Sequence, residues 1–230
     1  MHFKVTFLHF ILSFFTVSYC FASKAQQFKD DLLSPFKYSQ QTLLYGSLLT
    51  GSLIITREQT ITPIQEYMSE EKPLGHFSNY GDLLGQLIPN IAYSVYQWNY
   101  GNPIKGKVRA KYMAKVTLFA GGSTFFLKRI INQRRPKGRD RNSFPSGHTT
   151  TAFAFASVIS HEHPSYRWYA YALASFVGLS RVNDNAHYFH DVVMGATIGM
   201  AFGEALHKSQ ERIAFIPVKD GAGIFYRQGF

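Results

Sequence analysis

A chain of 230 residues is long enough for one domain of ordinary size or two small ones. With 46% hydrophobic and 17% charged residues it is not a disordered polymer, and a single cysteine excludes a disulfide framework or a cysteine-based zinc site. The formal charge of +10 is local: residues 105–141 hold twelve Lys and Arg against one acid, Asp140, while the rest of the chain sums to −1, which excludes a uniformly basic coat and points to a site or surface that handles anions.

In chain order, one Lys precedes a largely apolar run from Val5 to Ala22, and small residues at Cys20 and Ala22 offer a cut before Ser23. This is the pattern of a secretory signal peptide over residues 1–22, with an uncleaved membrane anchor as the other reading. Residues 23–230 then form a single domain. Residues 23–37 are polar and read as a linker or surface arm. Leu43–Thr56 is apolar but diluted by Gly and Ser, and reads as a helix. Residues 57–80 contain Pro63 and Pro73 and read as loop with a short helix. Leu83–Trp98 carries Pro89, which predicts a kinked or broken helix. Helices are also expected at Tyr112–Ile131, stopped by Pro136, at Thr149–Ser160, at Trp168–Ser180 and at His187–His207. Phe215–Phe230 has no clear assignment. With almost no alternating apolar pattern, the fold class is all-α, a bundle of about six core helices. Most apolar runs are short for a span of ~20 residues. Lys115 and Lys128 bracket twelve uncharged residues and Arg167 and Arg181 bracket thirteen. The expectation is therefore an exported soluble bundle, with a membrane-embedded form of the same site as the alternative.

Three clusters carry chemistry. Lys128 and Arg135 are seven residues apart, which on one helix gives a shared face; it is either a solvated basic face or half of an anion site. Pro145-Ser146-Gly147-His148 precedes an apolar helix, so Ser146 can cap it, Gly147 allows close backbone approach, and His148 stands beside free N–H groups. Arg181 adds a guanidinium fork, while His187 and Asp191 are i and i+4. A carboxylate there can fix the tautomer of the ring and leave the other nitrogen as nucleophile or base. Each cluster alone is compatible with a structural role.

Taken together, the three resemble the signature of the type 2 phosphatidic acid phosphatase superfamily, which also includes bacterial non-specific acid phosphatases and vanadium haloperoxidases. That signature is Lys, six residues, Arg-Pro; Pro-Ser-Gly-His; then Ser-Arg, five residues, His, three residues, Asp. Here it reads Lys128 with Arg135-Pro136, Pro145–His148, and Ser180-Arg181 with His187 and Asp191, within a helical stretch of 112–207. Only eight residues separate Pro136 from Pro145, a short connector for the family. The resemblance implies a phosphatase in which His187 attacks phosphorus to form a phosphohistidine. Asp191 orients His187, and His148 protonates the leaving oxygen and then activates water. Lys128, Arg135, Arg181, Ser146 and the Gly147 amide hold the phosphoryl oxygens. Positioned cations and amides are what a phosphoryl group in transfer requires, so no metal or other cofactor is expected.

Competing readings are weaker. His161 and His163 do not share a helix face, and His190 reads as a bystander or rim residue. Ser146 lacks the surroundings of a serine-hydrolase elbow. Nucleic-acid binding suits the basic segment but not an exported chain whose charge is split by an apolar helix. The expected partner is a phosphorylated small molecule or a lipid phosphate, with membrane association possible, in the bacterial periplasm or on the periplasmic side of the inner membrane.

Overall fold

The computed structural model describes residues 23–138, 140–210, 213–218 and 221–226. The expected signal segment, residues 1–22, lies outside the described residues, as does Arg139 of the basic segment. Helix α1 covers residues 23–38. It is followed by α2 (Gln40–Ile55), α3 (Arg57–Glu71), α4 (Ser78–Leu84), α5 (Ile88–Tyr100), α6 (Lys105–Ile131), α7 (Gly147–Glu162), α8 (Arg167–Asn183) and α9 (Phe189–Gln210). A two-stranded antiparallel hairpin, β1 (Ile213–Val218) and β2 (Gly221–Tyr226), follows α9. The expected helical bundle is present, with α2 and α5–α9 making its most extensive helix–helix packing, and the hairpin covers much of the stretch that the sequence left unassigned.

Helix α7 is the centre. One face joins α6 and α9 in a cluster of Met113, Val116, Ala120, Ala154, Val158 and Phe202, all buried. The opposite face sets Ala152, Ala156 and Ile159 against Ala170, Ala174 and Val177 of α8. Gly195, Gly199 and Gly203, one per turn of α9, lie against α7. A Cβ added at Gly195 or Gly199 would sit 2.6 Å from the carbonyl oxygens of Ser146 or Thr150. The missing side chains let the two backbones run close and parallel, so α7 and α9 begin at the same end of the bundle. Helices α6 and α8 run the other way and finish there.

Several boundaries differ from the sequence reading. Residues 23–38 are helical rather than a linker; Phe28 packs on Phe119 with ring centroids 5.2 Å apart, and Asp31 accepts from Lys115 at 2.7 Å. Residues 57–71 are helix despite Pro63. The break before α5 falls at residues 85–87, and Pro89 sits in the first turn of α5, where its absent N–H costs nothing. Helix α6 ends at Ile131, as expected, but begins at Lys105 rather than Tyr112, and it does not run on to Arg135: Asn132 takes a left-handed conformation (φ 50°) and its N–H donates to the Lys128 carbonyl. Lys128 and Arg135 therefore do not share a helix face. Likewise α9 starts at Phe189, so His187 lies in the loop before it.

Candidate active site

The end of the bundle where α6 and α8 finish and α7 and α9 start gathers the motif residues. Cations in the last turns of α6 and α8, Lys128 and Arg181, stand beside the N-terminal ends of α7 and α9. Each charge is favoured by the helix end it occupies, and together they make one positive basin. The Ser146 N–H donates to the Asp191 carbonyl at 3.0 Å, tying the second motif to the third. Arg135 reaches the basin from the loop. Its Nη1 lies 3.5 Å from His187 Nε2, and it donates to the Ala186 carbonyl at 3.3 Å and, through Nε, to Asp140 at 2.8 Å.

His187 is almost fully buried, with Nδ1 3.6 Å from Asp191 Oδ2. That gap is longer than a hydrogen bond, and Nδ1 has no other partner. Asp191 is held from other directions. Ser143 Oγ donates to Oδ2 at 2.5 Å, the Tyr188 N–H donates to the same oxygen at 2.9 Å, and His190 Nε2 lies 3.1 Å from Oδ1. Burial works against the Asp191 charge, but the donors and the neighbouring rings hold its carboxyl well below the usual carboxylate range. Burial lowers His187 to about 4, with Asp191 pulling the other way, so the resting ring is neutral near pH 7. Lys128 donates to the carbonyls of Asn142 (2.6 Å) and Ser143 (3.2 Å); burial, then Arg135, lowers it to about 8.

Of the eight residues named from sequence, Lys128, Arg135, Gly147, His148 and His187 line one cavity of about 980 Å³. Asp191 stands behind His187. Arg181 is buried, its guanidinium shared among Asp82, Asp184 and the Ser78 carbonyl. Ser146 is fully buried, with Oγ accepting from the Thr149 N–H and Thr149 Oγ1. Its hydroxyl caps α7 and does not face the cavity. Away from the basic residues, the cavity is walled by Leu87, Ile88, Ile91, Val95, Leu118 and Phe125 of α5, α6 and the turn before α5.

The sequence reading misplaced one residue of the site and missed two. His190 is buried against Asp191 and 2.9 Å from Gln133 Nε2, so it is not a rim residue. Ser143, three positions before Ser146, was passed over although it stands beside the second motif. Asp82 contacts both Arg181 and His148 from α4, and no local signal announces it. Among the described residues, no three His, Cys, Asp or Glu side chains gather as a metal site.

The sequence profile of the PAP2 superfamily matches residues 109–214. The lipid A 1-phosphatase of Porphyromonas gingivalis is 36% identical over 137 residues, 56% of this chain and 31% of that protein. The lipid A 1-phosphatase of Rhizobium johnstonii is 34% identical over 106 residues, 40% of this chain and 43% of that protein. The chain thus spans less than half the length of these curated relatives. The crystal structure of Aquifex aeolicus LpxE aligns with a TM-score of 0.56 at 24% identity, covering 64% of this chain and 94% of that one, a likeness of fold.

Proposed function

We propose that this chain, a PAP2-superfamily protein through residues 109–214, hydrolyses the phosphate monoester of a membrane lipid. The observation that carries the lipid reading is the cavity. A phosphoryl group held beside His187 stands at the cationic end of a space whose remaining walls are mostly apolar, with Asn90, Ser94 and a few threonines among them, which suits a substrate with a phosphate head and a hydrocarbon body. The lipid A phosphatases among its relatives support the same substrate class. The soluble exported phosphatase expected from the sequence accounts less well for that wall.

In this reading His187 Nε2, neutral at rest, attacks phosphorus, and Asp191 takes up the charge that develops on the ring. Asp191 is already fixed by Ser143 and the Tyr188 N–H, so the 3.6 Å gap closes by a small movement of the ring as it becomes cationic. His148 gives its proton to the ester oxygen as the P–O bond breaks. It then takes one from the water that attacks the phosphohistidine. Lys128, Arg135 and the Gly147 N–H hold the phosphoryl oxygens, Arg181 adds its charge from behind the cavity wall, where Asp82, Asp184 and the Ser78 carbonyl hold it, and Ser146 serves by capping the helix that presents that N–H.

The test compares wild type with His187→Ala on a lipid phosphate in detergent and on a soluble aryl phosphate, both in EDTA. The expected outcome is turnover by wild type in EDTA, preferred on the lipid by about tenfold or more in kcat/KM, and a loss of at least about a thousandfold in the variant. Retained activity in His187→Ala ends the nucleophile assignment. A preference for the soluble ester ends the lipid assignment.

A further inference from the structure

We infer that Asp82 is a positioning residue of the site: its carboxylate joins the Arg181 guanidinium to the His148 ring and keeps on that ring the proton given to the leaving oxygen. This rests on the phosphatase reading above. Asp82 Oδ1 accepts from Arg181 Nη1 and lies 3.3 Å from His148 Nε2. The contact spans 99 positions of sequence and is built into the packing of α4. Gly81, the preceding residue, lies so close to Ser180 that any Cβ would collide with its side chain. Gly85, one residue after α4, has His148 Cβ 2.7 Å and Val177 Cγ1 2.8 Å from where its own Cβ would be. The two glycines flank Asp82 and let α4 lie directly on α7 and α8. Arg181 is itself held by the Ser180 hydroxyl (3.1 Å), the Ser78 carbonyl (3.3 Å) and Asp184 (2.9 Å). The carboxylate therefore meets a guanidinium that has little freedom to turn away.

His148 needs such a partner. The charged groups that face it are Arg181 from α8, Arg135 from the loop after α6, Lys128 from the end of α6 and Asp82 from α4, with His187 lining the same cavity. Three of these are fixed cations, and they oppose a proton on the ring, as burial does. Burial and then Arg181 lower the His148 pKa, and Asp82 acts in the opposite sense. A general acid must carry its proton when the P–O bond breaks and its electron pair settles on the ester oxygen. The ring then receives a proton from the attacking water in the second step. Without Asp82 the same cations that bind the phosphoryl group would discharge the acid.

Asp82→Asn keeps the shape and removes the charge. Two readouts on the full chain separate its roles. The first is an NMR titration of the His148 ring, assigned by its loss in His148→Gln, in wild type and Asp82→Asn. The second is the pH profile of kcat on an alkyl phosphate, which needs the acid, and on p-nitrophenyl phosphate, whose leaving group does not. The expected result is a His148 pKa lower by about one unit in Asp82→Asn, a tenfold change in the proton equilibrium. The alkaline limb of the alkyl ester should move down in parallel, and the rate loss should be about tenfold greater on the alkyl than on the aryl ester. Asp82→Glu, which restores a carboxylate, should recover most of both shifts. A loose or misplaced Arg181 would slow both esters equally, so equal losses with an unmoved His148 titration overturn the inference, in Asp82→Asn or in a serine variant if the amide folds poorly. A wild type inactive on every phosphoester with a titration that still moves would overturn the phosphatase reading and leave the Asp82–His148 link standing.

Discussion

His187 has to be buried and reactive at once, and the two demands meet in its proton. A protonated ring has no lone pair on Nε2. Burial lowers the ring to about 4, against about 6.5 for the free side chain, so the neutral form persists well into acid. The acid limb of kcat/KM assigned to the free enzyme's nucleophile should therefore fall below about pH 5, once the phosphate ester's own titration is subtracted. A limb near 6.5 would place the nucleophile elsewhere. The same shift has a stability sign. An unfolded ring takes up a proton near 6.5 and the folded one near 4, so the unfolded state binds more protons in that window, and stability falls as pH drops through it and levels off below. At this scale the sequence was informative where contacts lie within a few positions, as with Ser146 capping the Thr149 N–H and His187 facing Asp191. It was silent on Asp82, because a residue 99 positions from its partner has no register with it that spacing can reveal.

At the scale of elements, the active site depends on how close α7 and α9 run. Gly199→Ala tests this directly. Its new Cβ would lie 2.6 Å from the Thr150 carbonyl oxygen and 2.7 Å from the Ala154 nitrogen, and backbone atoms cannot yield as a side chain can. The helices must separate, at a cost of about 1–3 kcal/mol for an overpacked contact. A loss of 2 kcal/mol lowers the melting temperature of a chain this size by about 4–8 °C. Because the two N-termini carry His148 and Asp191, kcat should fall with it, measured on protein shown to be folded at the assay temperature. A silent Gly199→Ala would mean that the spacing is not fixed by these glycines. The order of the helices could be read from the chain, and so could the end of α6 at Ile131, but most other boundaries could not. A shared helix face for Lys128 and Arg135 needed the helix to run on toward Pro136, yet Asn132 turns left-handed straight after Ile131, and Arg135 reaches the site by a loop hydrogen-bonded from Ser143 N–H to the Gln133 carbonyl (3.0 Å). Pro63 suggested a loop where α3 runs through it, since tertiary packing of Ile61 and Gln65 outweighs one missing hydrogen bond.

Across the whole molecule, the surface divides in a way that neither length nor mean hydropathy predicts. Among the described residues no helix is long and apolar enough to cross a membrane. Yet Leu48, Ile55, Ile91, Trp98, Phe125 and Trp168 are all more than half exposed, or at half, and they come from α2, α5, α6 and α8. Apolar side chains exposed on so many faces at once are what a membrane or protein contact presents. The basic segment sorts along α6 in the same spirit. Lys105, Lys107, Arg109, Lys111 and Lys115 belong to its first three turns, far from the site, and Lys128 and Arg135 belong to the site itself. The +11 segment is thus two clusters with an apolar stretch of helix between them; in the distal one Arg109 pairs with Glu162 (2.9 Å) and Lys115 with Asp31 (2.7 Å), while the proximal one lines the cavity. If the apolar faces lie against lipid, electrostatics alone does not hold the protein there. It should remain with the membrane fraction through washes in high salt and at alkaline pH, and come free only in detergent, with activity on the lipid phosphate recovered in the detergent extract. Release by salt alone would mean that the basic clusters make the whole contact, and release without any wash would return the chain to the soluble reading.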